Sequence, residues 1–531
     1  MKKSWKRFML AALLTANVSL VFYPGQITYA YELQAQAFAS NVPAEKIGLP
    51  TRGAEIKSVE FIEADAPGNS NGAYYKVLGA IRPVDVNAPA INFQLNLPLH
   101  WNQKLVQFGG GAFDGFLVTA DTVTVGEGKE MKTPLSQGYA TFGSDSGHVG
   151  TNPWDSSFAV NDEALRNFAH GQLKKTKDAV LAITSDFYGQ KPKQVYFIGG
   201  SNGGREALQV VQRYPEDYDG VVALYPVLNW VPKALHDNVS GTLMTSRDGW
   251  LSSDDFAAMK KVVYEEGDGL DGVVDGVIAN AAGLEKRKDK VFARMRKIIS
   301  PAKMNTLESF YREEKFNVPL ANGFRLMAGY MLSQHIAGEG LPQFSSAPDK
   351  RDGSMQQFSD GVIKYQIMRD GAFKADNFSP EKYKDKVQAA SQLLDATNPQ
   401  LDKFYRRGGK LMILHGTADQ VVSLQGSIDY YERVKKAMGA EKVHEFVRFY
   451  TVPGYGHGFG TVFNMGRDLL GDIDAWVTQG KAPRELLITA QNKENAGRTL
   501  NLVEYPAYPR YKGSGDVRQA ASFASSLEVS K

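Results

Sequence analysis

Ser201 lies in the stretch GGSNG at residues 199–203, between an apolar run and a run with helical periodicity. This is the G-x-S-x-G pattern in the strand–turn–helix context that a nucleophile elbow requires. Small residues around the serine allow a turn tight enough to hold its hydroxyl exposed in a strained backbone conformation. An ordinary glycine turn is the alternative, and the strand and helix on either side favour a nucleophilic serine.

A nucleophilic serine needs a general base, and the base needs an acid that orients it. His457 lies in a glycine-rich loop after a strand-like run at 446–450, and Asp419 follows the strand-like run at 410–414. The order serine, acid, histidine is that of α/β-hydrolases. Asp429 is a poorer candidate for the acid because it falls in a helical pattern. A helix-capping role is the alternative for Asp419.

Chain order also selects the histidine. Six histidines are disfavoured by their position in the chain. They precede the acid, lie in an insertion or precede the last strand, and they are His100, His148, His170, His236, His335 and His444. A histidine in a mobile loop after the last strand can reach the serine and shuttle a proton. His457 is therefore the predicted base.

Acyl transfer to a serine also requires N–H donors for the developing oxyanion. The residue after the nucleophile, Asn202, is expected to supply one backbone N–H. The stretch GGGA at 109–112, after another strand-like run, is expected to supply the second, because residues with little side chain let the backbone approach a substrate. A merely flexible loop is the alternative for this glycine triplet.

A second group of candidate ligands lies in DGLDGVVDGV at residues 268–277. Asp268, Asp271 and Asp275 are separated by glycines and place hard oxygen ligands around a tight loop. Such ligands suit Ca²⁺, which binds six to eight oxygens including backbone carbonyls. The spacing differs from that of an EF-hand, and a solvated acidic turn is the alternative.

The elements that must position these residues are strands and helices in alternation. Alternation runs from about residue 90 to 230 and returns at 410, which predicts a mostly parallel sheet covered on both faces. Residues 233–401 are richer in charge, methionine and aromatics, with few strand-like runs. We therefore predict an α/β core at 31–232 and 402–531, interrupted by a mostly helical lid domain at 233–401.

The N-terminus has the features of an export signal. Four basic residues precede a mostly apolar stretch at 8–22, and TYA at 28–30 provides small residues for a signal peptidase. Asn17 and Ser19 interrupt the apolar stretch, which disfavours a permanent anchor. Cleavage after residue 30 would change the formal net charge from +3 to about −1, which removes any argument from bulk charge for a nucleic-acid partner. We expect a secreted protein that does not bind a membrane after cleavage.

The 531 residues include no cysteine, which excludes disulfides, thiolate chemistry and a lipid-modified N-terminal cysteine. The length favours two domains, or one core with a large insertion. Beyond the N-terminus, no apolar run approaches the length of a membrane span. Core burial or a bound metal must therefore stabilise the fold.

Several stretches follow one another along almost the whole mature chain, and they include LPLHWNQKLVQFGGGAFDG (97–115), FYGQKPKQVYFIGGSNGGREAL (187–208), DGLDGVVDGVI (268–278) and FYRRGGKLMILHGTAD (404–419). In this order they resemble the tannase and feruloyl esterase family. The resemblance implies the same catalytic serine, acid and histidine, with oxyanion N–H groups from Asn202 and Ala112. It implies calcium ligands from the side chains of Asp268, Asp271 and Asp275 and the carbonyls of Val273 and Val277.

The chain departs from the family in one systematic way. The family usually has a cysteine directly before the nucleophile and another directly after the histidine, joined as a disulfide. Here these positions are Gly200 and Gly458, and the cysteine expected before the acidic loop is Gly267. Because both members of the pair are absent, the chain resembles a disulfide-free branch whose active-site rigidity, rather than chemistry, is in question.

The resemblance implies a secreted serine carboxylic ester hydrolase that acts through an acyl-enzyme on small-molecule esters. Phenolic or aromatic acids, such as gallate or a hydroxycinnamate, are the expected acid part. An esterase for aliphatic or oligomeric hydroxyacid esters is one alternative. A noncatalytic binding protein that kept the fold is another. The sequence does not indicate an oligomeric state.

Overall fold

The computed structural model describes residues 41–124, 131–334, 344–458, 463, 465–490 and 493–528. The predicted signal peptide at 1–30 lies outside these residues. The strands are β1 Ala54–Ile62, β2 Tyr74–Ile81, β3 Ile91–Pro98, β4 Lys104–Phe108, β5 Ala140–Ser144, β6 Gln194–Gly200, β7 Gly220–Leu224, β8 Glu314–Lys315, β9 Leu326–Met327, β10 Lys410–Gly416, β11 Val447–Val452, β12 Leu486–Thr489, β13 Thr499–Leu502, β14 Tyr508–Tyr511 and β15 Phe523–Ser526.

The described residues form a nine-stranded sheet in the order β1-β2-β3-β5-β4-β6-β7-β10-β11. The pairs from β5 to β11 are parallel, whereas β1, β2, β3 and β5 pair antiparallel. Small antiparallel pairs form between β8 and β9, β12 and β13, and β14 and β15. The carboxyl ends of β6, β7, β10 and β11 therefore lie side by side at one edge, which is where open α/β sheets bind ligands.

Both faces of the parallel sheet are buried, which explains why its strands are nearly continuous apolar runs. In β6, Val195 and Phe197 point towards one apolar cluster on one face. Tyr196 and Ile198 point towards a second cluster on the other face. Helical residues complete both clusters, so the predicted arrangement of helices on both sides of the sheet is confirmed.

The helices have clear boundaries in the sequence. Ser252 begins one helix with a reciprocal capping box, and Ser300 accepts from the N–H of Lys303 ahead of a proline at the first turn of another. The α-helices are Asp162–Arg166, Gln172–Tyr188, Asn202–Arg213, Trp230–Thr245, Ser253–Gly267, Ala281–Glu285, Lys288–Met295, Pro301–Tyr311, Ser354–Gly361, Lys384–Leu394, Asp402–Arg406, Leu424–Met438, Ala440–His444 and Leu469–Gln479.

The chain between β7 and β10 is mostly helical. It also contains β8 and β9, two strands of two residues each that pair antiparallel. One apolar cluster, from Met244 to Met355, is built entirely from this segment. A second cluster joins it to the core, because Phe113 from the core packs there with Phe358 from the segment. The predicted boundary at 233 falls inside the helix Trp230–Thr245, and the boundaries at 233 and 401 stay predictions.

Among the described residues, none of the helices has both the length and the apolar character needed to cross a membrane.

Candidate active site

Ser201 occupies a strained turn between β6 and the helix Asn202–Arg213. Its backbone has φ 61° and ψ −121°, a conformation that residues other than glycine rarely adopt. A Cβ on Gly199 would lie 2.5 Å from the carbonyl oxygen of Gly203. A Cβ on Gly203 would lie 2.7 Å from the carbonyl oxygen of Gly110. The glycines of the sequence pattern are therefore required for the turn to close.

The three residues predicted to form a triad lie together. Nε2 of His457 is 2.8 Å from Oγ of Ser201. Nδ1 of the same ring is 3.0 Å from Oδ2 and 3.1 Å from Oδ1 of Asp419. The acid follows β10 and the histidine follows the adjacent strand β11, which brings together residues 38 positions apart in the chain. The serine follows β6 at the same edge of the sheet, with β7 and β10 between β6 and β11, and lies 256 positions from the histidine in the chain.

Asp419 is fully buried and heavily hydrogen-bonded. Its Oδ1 accepts the backbone N–H groups of Val421 and Val422 at 2.8 and 2.9 Å. Nε2 of His415 lies 3.3 Å from its Oδ2. Burial alone would raise the pKa of Asp419, but the charge of His457 and the hydrogen bonds from His415 and His457 outweigh burial and hold the pKa well below its usual value. This carboxylate is charged at neutral pH.

The alternative acid, Asp429, has a different environment. It lies in the helix Leu424–Met438 and accepts a hydrogen bond of 2.9 Å from the side chain of Gln425. Burial raises the pKa of Asp429, and the charges of Glu313 and Glu432 raise it further. The hydrogen bond from Gln425 and the charge of Arg433 lower this pKa but do not cancel the rise. The structure therefore brings Asp419, and not Asp429, to the histidine.

The two predicted oxyanion donors lie on segments that are hydrogen-bonded to each other. The N–H of Gly203 donates to the carbonyl of Gly110 at 3.1 Å, which joins the loop after β4 to the start of the helix that follows Ser201. Ala112 in this loop has a positive φ of 49°. Asn202 is the first helical residue, and in the described part of the chain no backbone carbonyl accepts its N–H or that of Ala112. Both N–H groups remain available for an anion.

A buried polar network that the sequence did not indicate supports this loop. Asp114 accepts hydrogen bonds from Nδ2 of Asn202 at 2.6 Å and from the hydroxyl of Ser146. Oε2 of Glu206 accepts the N–H of Gly110 at 3.1 Å. Burial raises the pKa of Glu206 well above its usual value, and the charge of Asp114 raises it further. Burial raises the pKa of Asp114 as well, but the hydrogen bonds from Ser146 and Asn202 oppose that rise, so Glu206 is the member of the pair that takes a proton more readily.

Gln334, from the segment between β9 and β10, supports the loop of the acid. Its Nε2 donates to the carbonyls of Asp419 and Val422, each at 2.7 Å. Its Oε1 accepts the N–H of Leu424 at 3.2 Å. Neither this contact nor the carboxyl pair has a local sequence signal, because each joins residues more than 80 positions apart.

The acidic loop brings its three aspartates into electrostatic contact. Asp268 accepts the N–H groups of Asp275 and Gly276 at 3.2 and 3.1 Å, and Asp275 is paired with Arg498. Burial raises the pKa of Asp271 to about 7, with further contributions from the charges of Asp275 and Asp268. The donors are all hard oxygens, which fits Ca²⁺.

The loop has the oxygen donors that Ca²⁺ prefers, but the described residues do not place them in a coordinating arrangement. Val273 and Val277, whose carbonyls are the other predicted ligands, donate their N–H groups to Asp271 and Asp275 at 3.2 and 3.1 Å. Where the structure describes the chain, no group of three or more histidine, aspartate or glutamate side chains is arranged to hold a metal ion. The calcium site therefore stays a prediction.

Comparison with known proteins identifies the family. The family model described as "Tannase and feruloyl esterase" matches residues 75–526. An uncharacterised esterase of Agrobacterium fabrum is 35% identical over 96% of this chain and 97% of that protein. A probable feruloyl esterase of Arthroderma benhamiae is 28% identical over 82% of each chain.

A solved structure shows the same fold. The crystal structure of feruloyl esterase B from Aspergillus oryzae matches with a TM-score of 0.76 and 20% identity, over 93% of this chain and all of that one. The predicted α/β-hydrolase fold with a helical insertion is thereby confirmed. The chain belongs to the tannase and feruloyl esterase family and is a carboxylic ester hydrolase, as the sequence predicted.

Proposed function

For this member of the family, we propose a serine mechanism in which Ser201, His457 and Asp419 hydrolyse an ester through an acyl-enzyme. The observation that carries the proposal is the chain of contacts from Oγ of Ser201 through both ring nitrogens of His457 to Asp419. Nucleophile, base and orienting acid are recognised by this geometry rather than by sequence position.

The first half-reaction forms the acyl-enzyme. Nε2 of His457 accepts the proton of Ser201 while Oγ attacks the ester carbonyl carbon. The N–H groups of Asn202 and Ala112 stabilise the oxyanion that forms. The carbonyl then re-forms, the bond to the alcohol oxygen breaks, and the imidazolium returns the proton to the departing alcohol. The charged carboxylate of Asp419 holds the ring in the required tautomer and stabilises the imidazolium.

The second half-reaction repeats these steps with water. Nε2 of His457 accepts a proton from water, whose oxygen attacks the acyl carbon. The bond to Oγ breaks, the proton returns to Ser201, and the carboxylic acid leaves. No step requires a metal, so a calcium ion in the acidic loop would act on stability alone.

For the substrate, we propose esters of small phenolic or aromatic acids, of the gallate or hydroxycinnamate type. The family and the name of the Arthroderma relative support this class. The test is hydrolysis by the purified protein of matched gallate, hydroxycinnamate, terephthalate-type and short aliphatic esters, with Ser201→Ala as the blank. A higher kcat/KM for the aromatic esters is expected. Preference for aliphatic esters would favour the alternative substrate class, and no turnover of any ester would favour a binding protein.

We also propose that the protein is exported and that its mature chain begins at Tyr31. The basic and apolar pattern of residues 1–30 supports this proposal. The test is the intact mass of the protein from the medium or periplasm of producing cells. A mature form lacking residues 1–30 is expected, whereas a full-length cytoplasmic product would contradict export.

Calcium binding in the acidic loop is the last part of the proposal. Asp268, Asp271 and Asp275 would bind the ion through side chains, and Val273 and Val277 through carbonyls. The support is the set of hard oxygen donors and the raised pKa of Asp271, to which burial and the charges of Asp275 and Asp268 contribute. A bound ion would place positive charge beside this carboxyl group and would stabilise the loop.

A further inference from the structure

Tyr225 lies between the strands that carry the nucleophile and the acid. It is the first residue after β7, which pairs with β6 on one side and β10 on the other. Its backbone has a positive φ of 34°, and its side chain is 2% exposed. Its ring centroid is 4.7 Å from that of His457, with an angle of 58° between the ring planes. The tyrosine therefore packs directly against the general base.

The hydroxyl end of the same ring lies against two glycines of the site. Gly200 precedes the nucleophile, and a Cβ there would lie 2.5 Å from the phenol oxygen. Gly458 follows the base, and a Cβ there would lie 3.1 Å from the same oxygen. Cβ atoms essentially never approach other atoms as closely as 2.5 Å, so the phenol and a side chain at 200 exclude each other. One side chain thus fills the space between the nucleophile turn and the loop of the base.

We propose that Tyr225 is a positioning residue that holds His457 at the nucleophile. The imidazole contacts Asp419 through Nδ1 and packs against the phenol ring in a tilted arrangement, so the carboxylate and the ring together limit its movement. A chain without cysteine has no covalent tie between the two segments, and the buried phenol provides a packed contact in that position. This inference rests on the proposed serine mechanism.

The expected effect follows from the cost of misplacing a catalytic group. A misplacement of about 1 Å can cost an enzyme roughly 100-fold in rate. Loss of the ring from Tyr225 should therefore lower kcat and leave KM little changed. A role in stability alone would lower the melting temperature without changing kcat of the folded enzyme.

The experiment compares Tyr225→Phe, Tyr225→Leu and Tyr225→Ala. The measurements are kcat, KM, melting temperature and the rate at which a fluorophosphonate labels Ser201. Tyr225→Phe keeps the ring against His457 and should retain kcat to within about fivefold. The leucine and alanine variants should lose about 30- to 100-fold in kcat and in labelling rate, with KM within about threefold of the original.

Tyr218→Leu is the matched control. Tyr218 is fully buried, and its hydroxyl donates to Oε1 of Gln107 at 2.5 Å, but it belongs to the apolar core on one face of the sheet. Its replacement should lower the melting temperature and leave kcat and labelling unchanged. If Tyr225→Leu behaves in the same way, the tyrosine only fills space and the inference is overturned. Undiminished turnover by Ser201→Ala would instead overturn the proposed mechanism.

A double substitution tests the contact itself. Gly200→Ala alone should lower kcat because the added methyl group displaces the phenol. In the Tyr225→Ala background the same methyl group meets no phenol, so it should change kcat by less than about twofold. Equal effects of Gly200→Ala in the two backgrounds would show that residue 200 does not act through Tyr225 and would contradict the inference.

Discussion

The side-chain amide of Asn202 donates a hydrogen bond of 2.6 Å to the carboxylate of Asp114. This contact ties the residue after the nucleophile to the loop that carries the other proposed oxyanion donor. Because the backbone N–H of Asn202 is one of those donors, its position depends on an acceptor outside the triad.

Asp114→Asn should therefore lower kcat by about 10- to 100-fold, since loss of an oxyanion donor costs about 100-fold or more and this change only loosens one. Glu206→Gln should cost less than about tenfold, because glutamine resembles the protonated glutamate inferred from the raised pKa. Steady-state kinetics on both variants test this ranking. A larger loss of kcat in Glu206→Gln than in Asp114→Asn would indicate that Asp114, and not Glu206, carries the proton.

The orienting acid gives a second prediction. Asp419→Asn should lower kcat by about 10⁴-fold while the fold is retained, because the neutral amide favours the wrong tautomer of His457. Asp429→Asn is the control, since Asp429 contacts Gln425 in a helix. Circular dichroism and kinetics on both variants provide the measurement. If kcat falls in Asp429→Asn and not in Asp419→Asn, the orienting acid is Asp429 and the assignment of Asp419 is wrong.

The lowered pKa of Asp419 predicts the form of the pH profile. A carboxylate whose pKa is depressed stays charged as the pH falls from 8 to 4, so Asp419 should contribute no protonation step to the pH profile in this range. The logarithm of kcat/KM should therefore not fall with a slope of two above pH 4. A slope of two in this range would mean that Asp419 gains a proton there and would contradict the depressed pKa.

Metal removal should affect stability more than catalysis. Ligand at a hundredfold excess over its dissociation constant adds about 2.7 kcal/mol to the free energy of unfolding. Chelation should lower the melting temperature, and Ca²⁺ should restore it better than Mg²⁺, while activity at low temperature largely survives. Asp271→Ala should melt at the lower temperature with or without chelator. If chelation does not change the melting temperature of the wild-type protein, the loop binds no calcium and is a solvated turn.

Much of the site could be predicted from the sequence because its parts have local signals. The elbow at Ser201 needs glycines at fixed offsets, and the acid and base follow recognisable strands. The helices Asp162–Arg166 and Gln172–Tyr188 lie within the alternating region predicted from about residue 90 to 230, and a π-helical stretch at Asn167–Gly171 joins them. Local backbone requirements are visible in local sequence.

The supporting contacts could not be predicted because they join distant segments. Asp114 and Glu206 meet only when the loop after β4 packs on the helix after Ser201. Tyr225 has no feature in its own neighbourhood that indicates contact with His457. The role proposed for it depends on the absence of side chains at Gly200 and Gly458, and only the strand order brings these two glycines to the tyrosine.

Labelling by a fluorophosphonate tests the central claim most directly. The reagent reacts with a serine hydroxyl activated by a neighbouring base, and peptide mapping identifies the modified residue. The triad geometry predicts one label, on Ser201, together with complete loss of ester hydrolysis. Ser201→Ala should remain folded, take up no label and lose several orders of magnitude in kcat/KM. Labelling of another serine, or turnover by Ser201→Ala close to that of the wild-type protein, would contradict the mechanism.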